Sequence, residues 1–343
     1  MIRQFSRDTL HERHRLSHQQ IDRLLNENSG KKYLPEKLEQ LNKIGYLIEL
    51  ADLLNQKNIW WLVLKGPLLS ERIYGDPTIR LWKDFDLLTK PEHVTSFVSV
   101  LIDQGFKHEK VDWPESEKRR EMVLHFGKNL EMFHPQKGIS VELHWKLFDD
   151  RLTTSKKMWE MIENNTESTI FSGKSIQRLS LEFELLYLII HGSIHAWFRL
   201  KWLTDIRDLF EKHTINADKF LVLTKKLNAS RFVCICNYVL GVYFPSTKQI
   251  PVKHQKSTKK LGEYALREIR NEVVKPKHNF TETLRAIRYR MSLSPKLRYK
   301  LDVLRLITFG KPDLKFTWIP DHPVFFYLFR PFGLIIRKFY TPH

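Results

Sequence analysis

Ile59–Lys90 reads IWWLVLKGPLLSERIYGDPTIRLWKDFDLLTK, and its reading decides the fold. An apolar run, Ile59 to Leu64, stops at Lys65-Gly66. An amphipathic segment, Leu68 to Tyr74, leads to the turn Gly75-Asp76-Pro77 and then to a second apolar run holding Asp84 and Asp86. The pattern predicts strand, tight glycine turn, helix, turn, strand. Strand side chains alternate, so Asp84 and Asp86 share one face while Phe85 and Leu87 take the other. Two neighbouring carboxylates repel. They are either solvated at a strand edge or neutralised by a cation, for which oxygen ligands suit Mg²⁺ or Mn²⁺.

Outward from this stretch, a helix is expected from Pro35 to the first strand, with Leu38, Leu41, Ile44, Leu47, Ile48, Ala51 and Leu54 at helical spacing. Met1 to Asn28 is polar with scattered leucines, which suggests short helices and a poorly fixed start. After Asp86, a helix is expected from His93 to Gln104, with Pro91 in its first turn and Gly105 closing it. Phe106 to Val111 reads as a short strand. Met122–Phe126 and Asn129–Phe133 read as a strand pair around Gly127-Lys128. Ile139–Trp145 alternates, placing Val141, Leu143 and Trp145 on one face and Ser140, Glu142 and His144 on the other. The carboxylate and imidazole presented together are either a second chemical signal or an ordinary polar strand face.

Near Asp149–Thr154 the character changes. Leu152–Asn164 reads as a helix, Phe171–Leu179 as a loop or hairpin at Gly173, and the remainder as helices at 181–195, 197–213, 217–227, 231–244, 263–274 and 280–290. The expected fold class is α+β: a mixed sheet with flanking helices, then a mostly helical C-terminal region. The expected domains are a helical extension (1–34), an α/β core (35–150) and a helical domain with a basic, aromatic tail (151–343).

With 343 residues the chain can bury a sizeable core. Its formal charge of +18 points to anionic partners. From Val252 to Lys300 fourteen Lys or Arg stand against four Glu, a local excess of +10, interleaved with Tyr264, Tyr289 and Tyr299. Such a segment suits RNA or forms a solvated basic face. Pro323–Tyr340 is apolar and aromatic with Arg330, Arg337 and Lys338, fit either to lie on an anionic membrane surface or to dock on the core. The two cysteines, Cys234 and Cys236, support neither a disulfide framework nor a zinc site. No run of about 18 apolar residues exists, and the N-terminus lacks the apolar core of a signal peptide. The expected compartment is the cytoplasm, with peripheral membrane association through the tail as the variant.

Taken together, Leu64-Lys65-Gly66, Arg80, Asp84-Phe85-Asp86 and Glu142-Leu143-His144-Trp145 resemble the uncharacterised bacterial nucleotidyltransferase family within the DNA polymerase beta superfamily. The resemblance extends to His191-Gly192, His195-Ala196-Trp197, Leu200-Lys201-Trp202 and Asp205, and more thinly to Arg330-Pro331. It implies an enzyme that transfers NMP from an NTP to a hydroxyl or phosphate acceptor, whether small molecule, sugar, peptide or RNA. Two Mg²⁺ ions would be held by Asp84, Asp86 and Glu142, with Mn²⁺ as a substitute. The nucleotide would be bound by Lys65, Gly66, Arg80, His144 and Lys201, with His191, His195 and Asp205 as further cleft residues. One departure stands out. Where the superfamily has Gly-Ser, this chain has Lys65-Gly66-Pro67, and Pro67 has no N–H for a phosphate. Arg80 is read either as a phosphate contact or as a partner of Asp76 or Asp84. The alternative function is a catalytically idle module that holds a nucleotide or RNA on the same fold.

Overall fold

The computed structural model describes residues 2–30, 33–148, 152–253, 258–271, 280–308 and 320–322, with short pieces at 324–325, 328–329 and 332. The fold is α+β. The chain divides into two compact units, each assembled from separated stretches: 49–63, 83–150 and 301–343 in one, and 1–48, 64–82 and 151–300 in the other.

The first unit is built on β1 (Trp61–Val63), β2 (Asp84–Thr89), β3 (Lys107–His108), β4 (Asn129–His134) and β5 (Ile139–His144). They lie in the order β3-β4-β5-β2-β1. β2 and β5 run parallel, and the other pairs are antiparallel. The register places Phe85 beside Val141, Leu87 beside Leu143, and Leu130 across from Leu143. All five are at most 1% exposed, so one face of the sheet is core. The helix α4 (Val94–Asp103) buries Val94, Phe97, Val98 and Leu101. Trp145, fully buried, donates its indole N–H to the carbonyls of Leu124 (3.1 Å) and Gly127 (3.0 Å). A Cβ at Gly127 would stand 2.9 Å from the Val123 carbonyl oxygen and 3.0 Å from the Trp145 ring, so only glycine fits.

One sequence expectation fails here. Met122–Phe126 is not a strand but the end of the helix α5 (Glu117–Phe126). Ser116 caps it, accepting from the Arg119 N–H, and Arg119, Met122, Val123 and Phe126 are buried. Their spacing is helical, but it becomes visible only when Arg119 is counted as a buried residue. The hairpin expected around Gly127-Lys128 is therefore a helix-to-strand turn.

The second unit is mainly helical. It holds α1 (His18–Leu25), the first part of α2 (Tyr33–Gln56), and α3 (Pro67–Tyr74). After α6 (Ser155–Glu163), strands β6 (Thr166–Phe171) and β7 (Lys174–Leu179) form a hairpin turning through Ser172 and Gly173, both at positive φ as a tight turn requires. The helix α7 (Leu181–Ile194) is largely apolar and buried along most of its length, with Glu182 and Glu184 in its first turn, and it packs against α8 (Leu200–Lys212), α9 (Ala217–Lys226) and α10 (Ser230–Tyr243). α11 (Thr258–Arg270), α12 (Phe280–Ser292) and α13 (Leu297–Thr308) follow. The N-terminus is not poorly fixed: Leu10 and Leu16 are fully buried, and Phe5 lies edge-on to His14 and stacked on Tyr243. Its leucines read as scattered because a five-residue π-turn at Thr9–Arg13 breaks the helical period. Ser17 and Gln20 then form a reciprocal capping box on α1.

Candidate active site

The other, partly buried face of the sheet in the first unit carries the acidic residues. In register across β2, β5 and β4 stand Asp86, Glu142 and Glu131. On one side of this row lie Asp84, Ser140 and Phe133; on the other lie Leu88, His144 and Asn129. Alternation thus brings Asp84, Asp86, Glu142 and His144 onto one face, although β5 is more than fifty residues beyond β2. His144 Nε2 sits 3.1 Å from a Glu142 oxygen and 3.4 Å from an Asp86 oxygen. One ligand atom from each of Asp86, Glu142 and His144 lies within 4.8 Å of the others. Burial alone would push the His144 pKa down; hydrogen bonds to Asp86 and Glu142, with the Glu142 charge, outweigh it and raise the pKa above its ordinary value.

Asp84 stands outside this trio, one pleat along β2. It shares with Glu142 the wall of a cavity of about 370 Å³ that also includes Glu109, Glu131, Lys83 and Lys110. Glu131 and its partner Lys110 were missed in the sequence reading. The signal was present: Asn129, Glu131 and Phe133 alternate with the buried Leu130 and Met132.

The remaining candidates lie in the second unit. Gly66 caps α3 at φ 74°, ψ −133°, which a side chain would disfavour, and Pro67 occupies the first helical position. Lys65 is buried. The turn after α3 is organised by Asp76, whose carboxylate accepts from the Thr78 N–H at 2.8 Å and meets Lys37 at 2.9 Å. Arg80 pairs with neither Asp76 nor Asp84. Its Nε donates to Asp205 Oδ2 at 2.9 Å, and the two side chains are 4% and 0% exposed. Lys201, also buried, donates to the Leu81 carbonyl. Burial first, and then the Arg80 charge, lower its pKa well below the usual lysine value, with Asp205 opposing. Arg80, Lys201 and Asp205 therefore form one buried charge cluster. His191 and His195 lie with ring centroids 4.7 Å apart, each 5.3 Å from the Trp202 ring. Among the described residues neither joins a group of three side chains able to hold a metal.

The basic segment differs from expectation in one respect. Tyr289 and Tyr299 are 4% and 1% exposed, and Tyr289 donates to the Ser193 carbonyl, so neither offers a ring face to a base. Arg330-Pro331 and most of the apolar stretch 323–340 lie outside the described residues. No helix among the described residues is long and apolar enough to cross a membrane.

An acidic strand pair, a Lys-Gly turn opening a helix and a helical region with the His-Gly pattern are the features of a nucleotidyltransferase-like protein. The family described as "uncharacterised nucleotidyltransferase" matches residues 14–245, and the chain belongs to it. No curated protein matches the sequence significantly.

Proposed function

We propose that the chain is a divalent-metal-dependent nucleotidyltransferase that moves NMP from an NTP to a hydroxyl or phosphate acceptor. The observation that carries this reading is the register of Asp86 and Glu142 on parallel neighbours, with Asp84 on the same face, in a chain of a nucleotidyltransferase family. The donor set fits the cation: three carboxylates offer hard oxygen ligands, which suit Mg²⁺ and also Mn²⁺. When bound, two such ions would lower the pKa of the acceptor hydroxyl and offset the charge on the leaving pyrophosphate. Asp84, Asp86 and Glu142 would hold them. His144, hydrogen-bonded to Asp86 and Glu142, fixes the orientation of both carboxylates. The acceptor oxygen attacks the α-phosphorus, the bond to the bridging oxygen breaks, and pyrophosphate leaves with the electron pair. The acceptor proton passes to a carboxylate of the acidic face or to water. Lys65 and the turn at Gly66 are the candidate phosphate contacts, with Lys65 supplying the positive charge where Pro67 lacks an N–H.

A second reading is favoured by one observation: Arg80 and Lys201, two of the expected phosphate contacts, are buried against Asp205 and the Leu81 carbonyl. A chain that keeps the fold but only holds a nucleotide would also look like this. A screen of labelled NTPs against cell extract with Mg²⁺, comparing wild type with Asp86→Asn, separates the two. The enzyme reading expects label transfer that falls on the order of a hundredfold or more in the variant, as for lost electrostatic stabilisers. Equal transfer by both proteins refutes the assignment of Asp86. A Mg²⁺- and NTP-dependent rise in melting temperature without transfer supports the idle binder.

A further inference from the structure

The second unit contains a cavity of about 590 Å³, within the range of small-ligand sites, and its lining includes no residue of the acidic face or of the Arg80 cluster. Three elements meet around it. The helix α6 contributes Lys157 and Glu160 from one face, α9 ends at Lys226, and the start of α13 brings Lys296 and Arg298. Four cations thus surround one space that holds a single carboxylate. Among the described residues, none of the four has its side chain paired with an acid. Like charges brought together without acids are unfavourable, and a bound anion relieves that cost.

From this arrangement we infer that the cavity is a binding site for a compact phosphorylated anion, such as a diphosphate group carried by a small molecule. The shape argues for a compact ligand over a nucleic-acid strand. The cations converge from separate elements on one space rather than forming a stripe along which a backbone could run. The one aromatic residue of the lining, Tyr299, is 1% exposed and edge-on to Phe232, so it presents no stacking platform. Arg298 supplies a planar fork for two phosphate oxygens, and the lysines supply point charges. The inference does not depend on the nucleotidyltransferase reading.

The test is calorimetric titration of the full chain with pyrophosphate, without divalent metal. Without metal the carboxylates of the acidic face repel the anion, and the substitutions below touch only the cavity, so a failed transfer assay and a failed titration are separate results. Saturable one-to-one binding is expected, weakened at least about tenfold by adding Lys226→Gln and Arg298→Gln. Both residues are exposed, and circular dichroism melts check that the variant folds. Glu160→Gln, which removes the one negative charge, is expected to tighten binding a few-fold. Three results overturn the inference: no saturable binding, affinity unchanged by the cation substitutions together with no gain from Glu160→Gln, or tighter binding of a single-stranded RNA with a salt slope exceeding four phosphates.

Discussion

Asp205→Ala is predicted to be among the most damaging single substitutions in the second unit. Asp205 is fully buried, and its Oδ2 accepts from Arg80 Nε at 2.9 Å. Removing the carboxylate leaves the Arg80 guanidinium buried beside Lys201, on which the Arg80 charge already bears. A guanidinium is not neutralised within the working pH range, so the charge cannot be relieved by losing a proton. Breaking a buried pair from one side costs about 3–5 kcal/mol, because an uncompensated charge remains. At roughly 2–4 °C per kcal/mol for large domains, the melting temperature should fall by on the order of 10 °C. The double variant Arg80→Met/Asp205→Leu removes both charges and keeps apolar volume, so most of the loss should return. Differential scanning calorimetry of wild type, single and double variants measures this directly. A single variant within about 1 kcal/mol of wild type, or a double variant no more stable than the single, would refute the buried-pair reasoning. The same preparations address the phosphate role of Arg80. If the double variant is stable yet loses a melting-temperature rise with NTP and Mg²⁺ that wild type shows, Arg80 also serves the nucleotide.

Two further predictions concern packing and pH. Gly192 lies in α7, where an added Cβ would come within 2.4–2.7 Å of three atoms of the fully buried Trp197 ring. Gly192→Ala should therefore destabilise the chain by about 1–3 kcal/mol, and Trp197→Phe in the same chain should recover part of it; urea unfolding in which Gly192→Ala matches wild type would show that the ring moves freely. His14 is buried, accepts from the Leu200 N–H at 3.1 Å, and has its pKa lowered to about 4 by burial first and then by Arg13. Its neutral form is the folded form, so stability is complete above the ordinary histidine pKa of about 6.5. It falls as pH drops from there to about 4, by about 3 kcal/mol over that window. His14→Gln should flatten that part of the pH–stability curve, and an unchanged slope in calorimetry would assign the acid sensitivity elsewhere.

What was legible in the sequence is what depends on short spacings. The period of two in Asp84-Phe85-Asp86 and in Ser140–His144 fixed which side chains share a face, and Gly66 before Pro67 marked the start of α3 correctly. What was not legible depends on pairing across long separations. Asp84 and Asp86 read as one pair beside Glu142, but the parallel register sets Glu142 against Asp86 and gives Asp84 a serine as its neighbour. No local pattern carries that offset, because a shift of two residues in register would preserve every face. The partner of Arg80 was similarly hidden. Sequence placed Asp76 and Asp84 within reach of it, four residues to either side, while the observed acceptor is 125 positions away on α8.

Both depend on pairing across long separations, and this bears on function. A buried cation takes whichever carboxylate the packing of helices delivers to it, whereas the pleat sets the face of a strand carboxylate and the register sets its neighbour. The buried cluster of Arg80, Lys201 and Asp205 is held by contacts within the protein: Arg80 Nε to Asp205, and Lys201 to the Leu81 carbonyl. The acidic face has a different character. Its trio is held together by His144, whose hydrogen bonds to two carboxylates partly offset their repulsion while Glu142 remains partly open to solvent. Replacing His144 with Gln would keep a hydrogen-bonding side chain but remove the imidazole that joins Asp86 to Glu142. On the proposed mechanism that loss appears as a weaker response to Mg²⁺ rather than as unfolding. The Asp205 variant should lose stability whether or not metal is present.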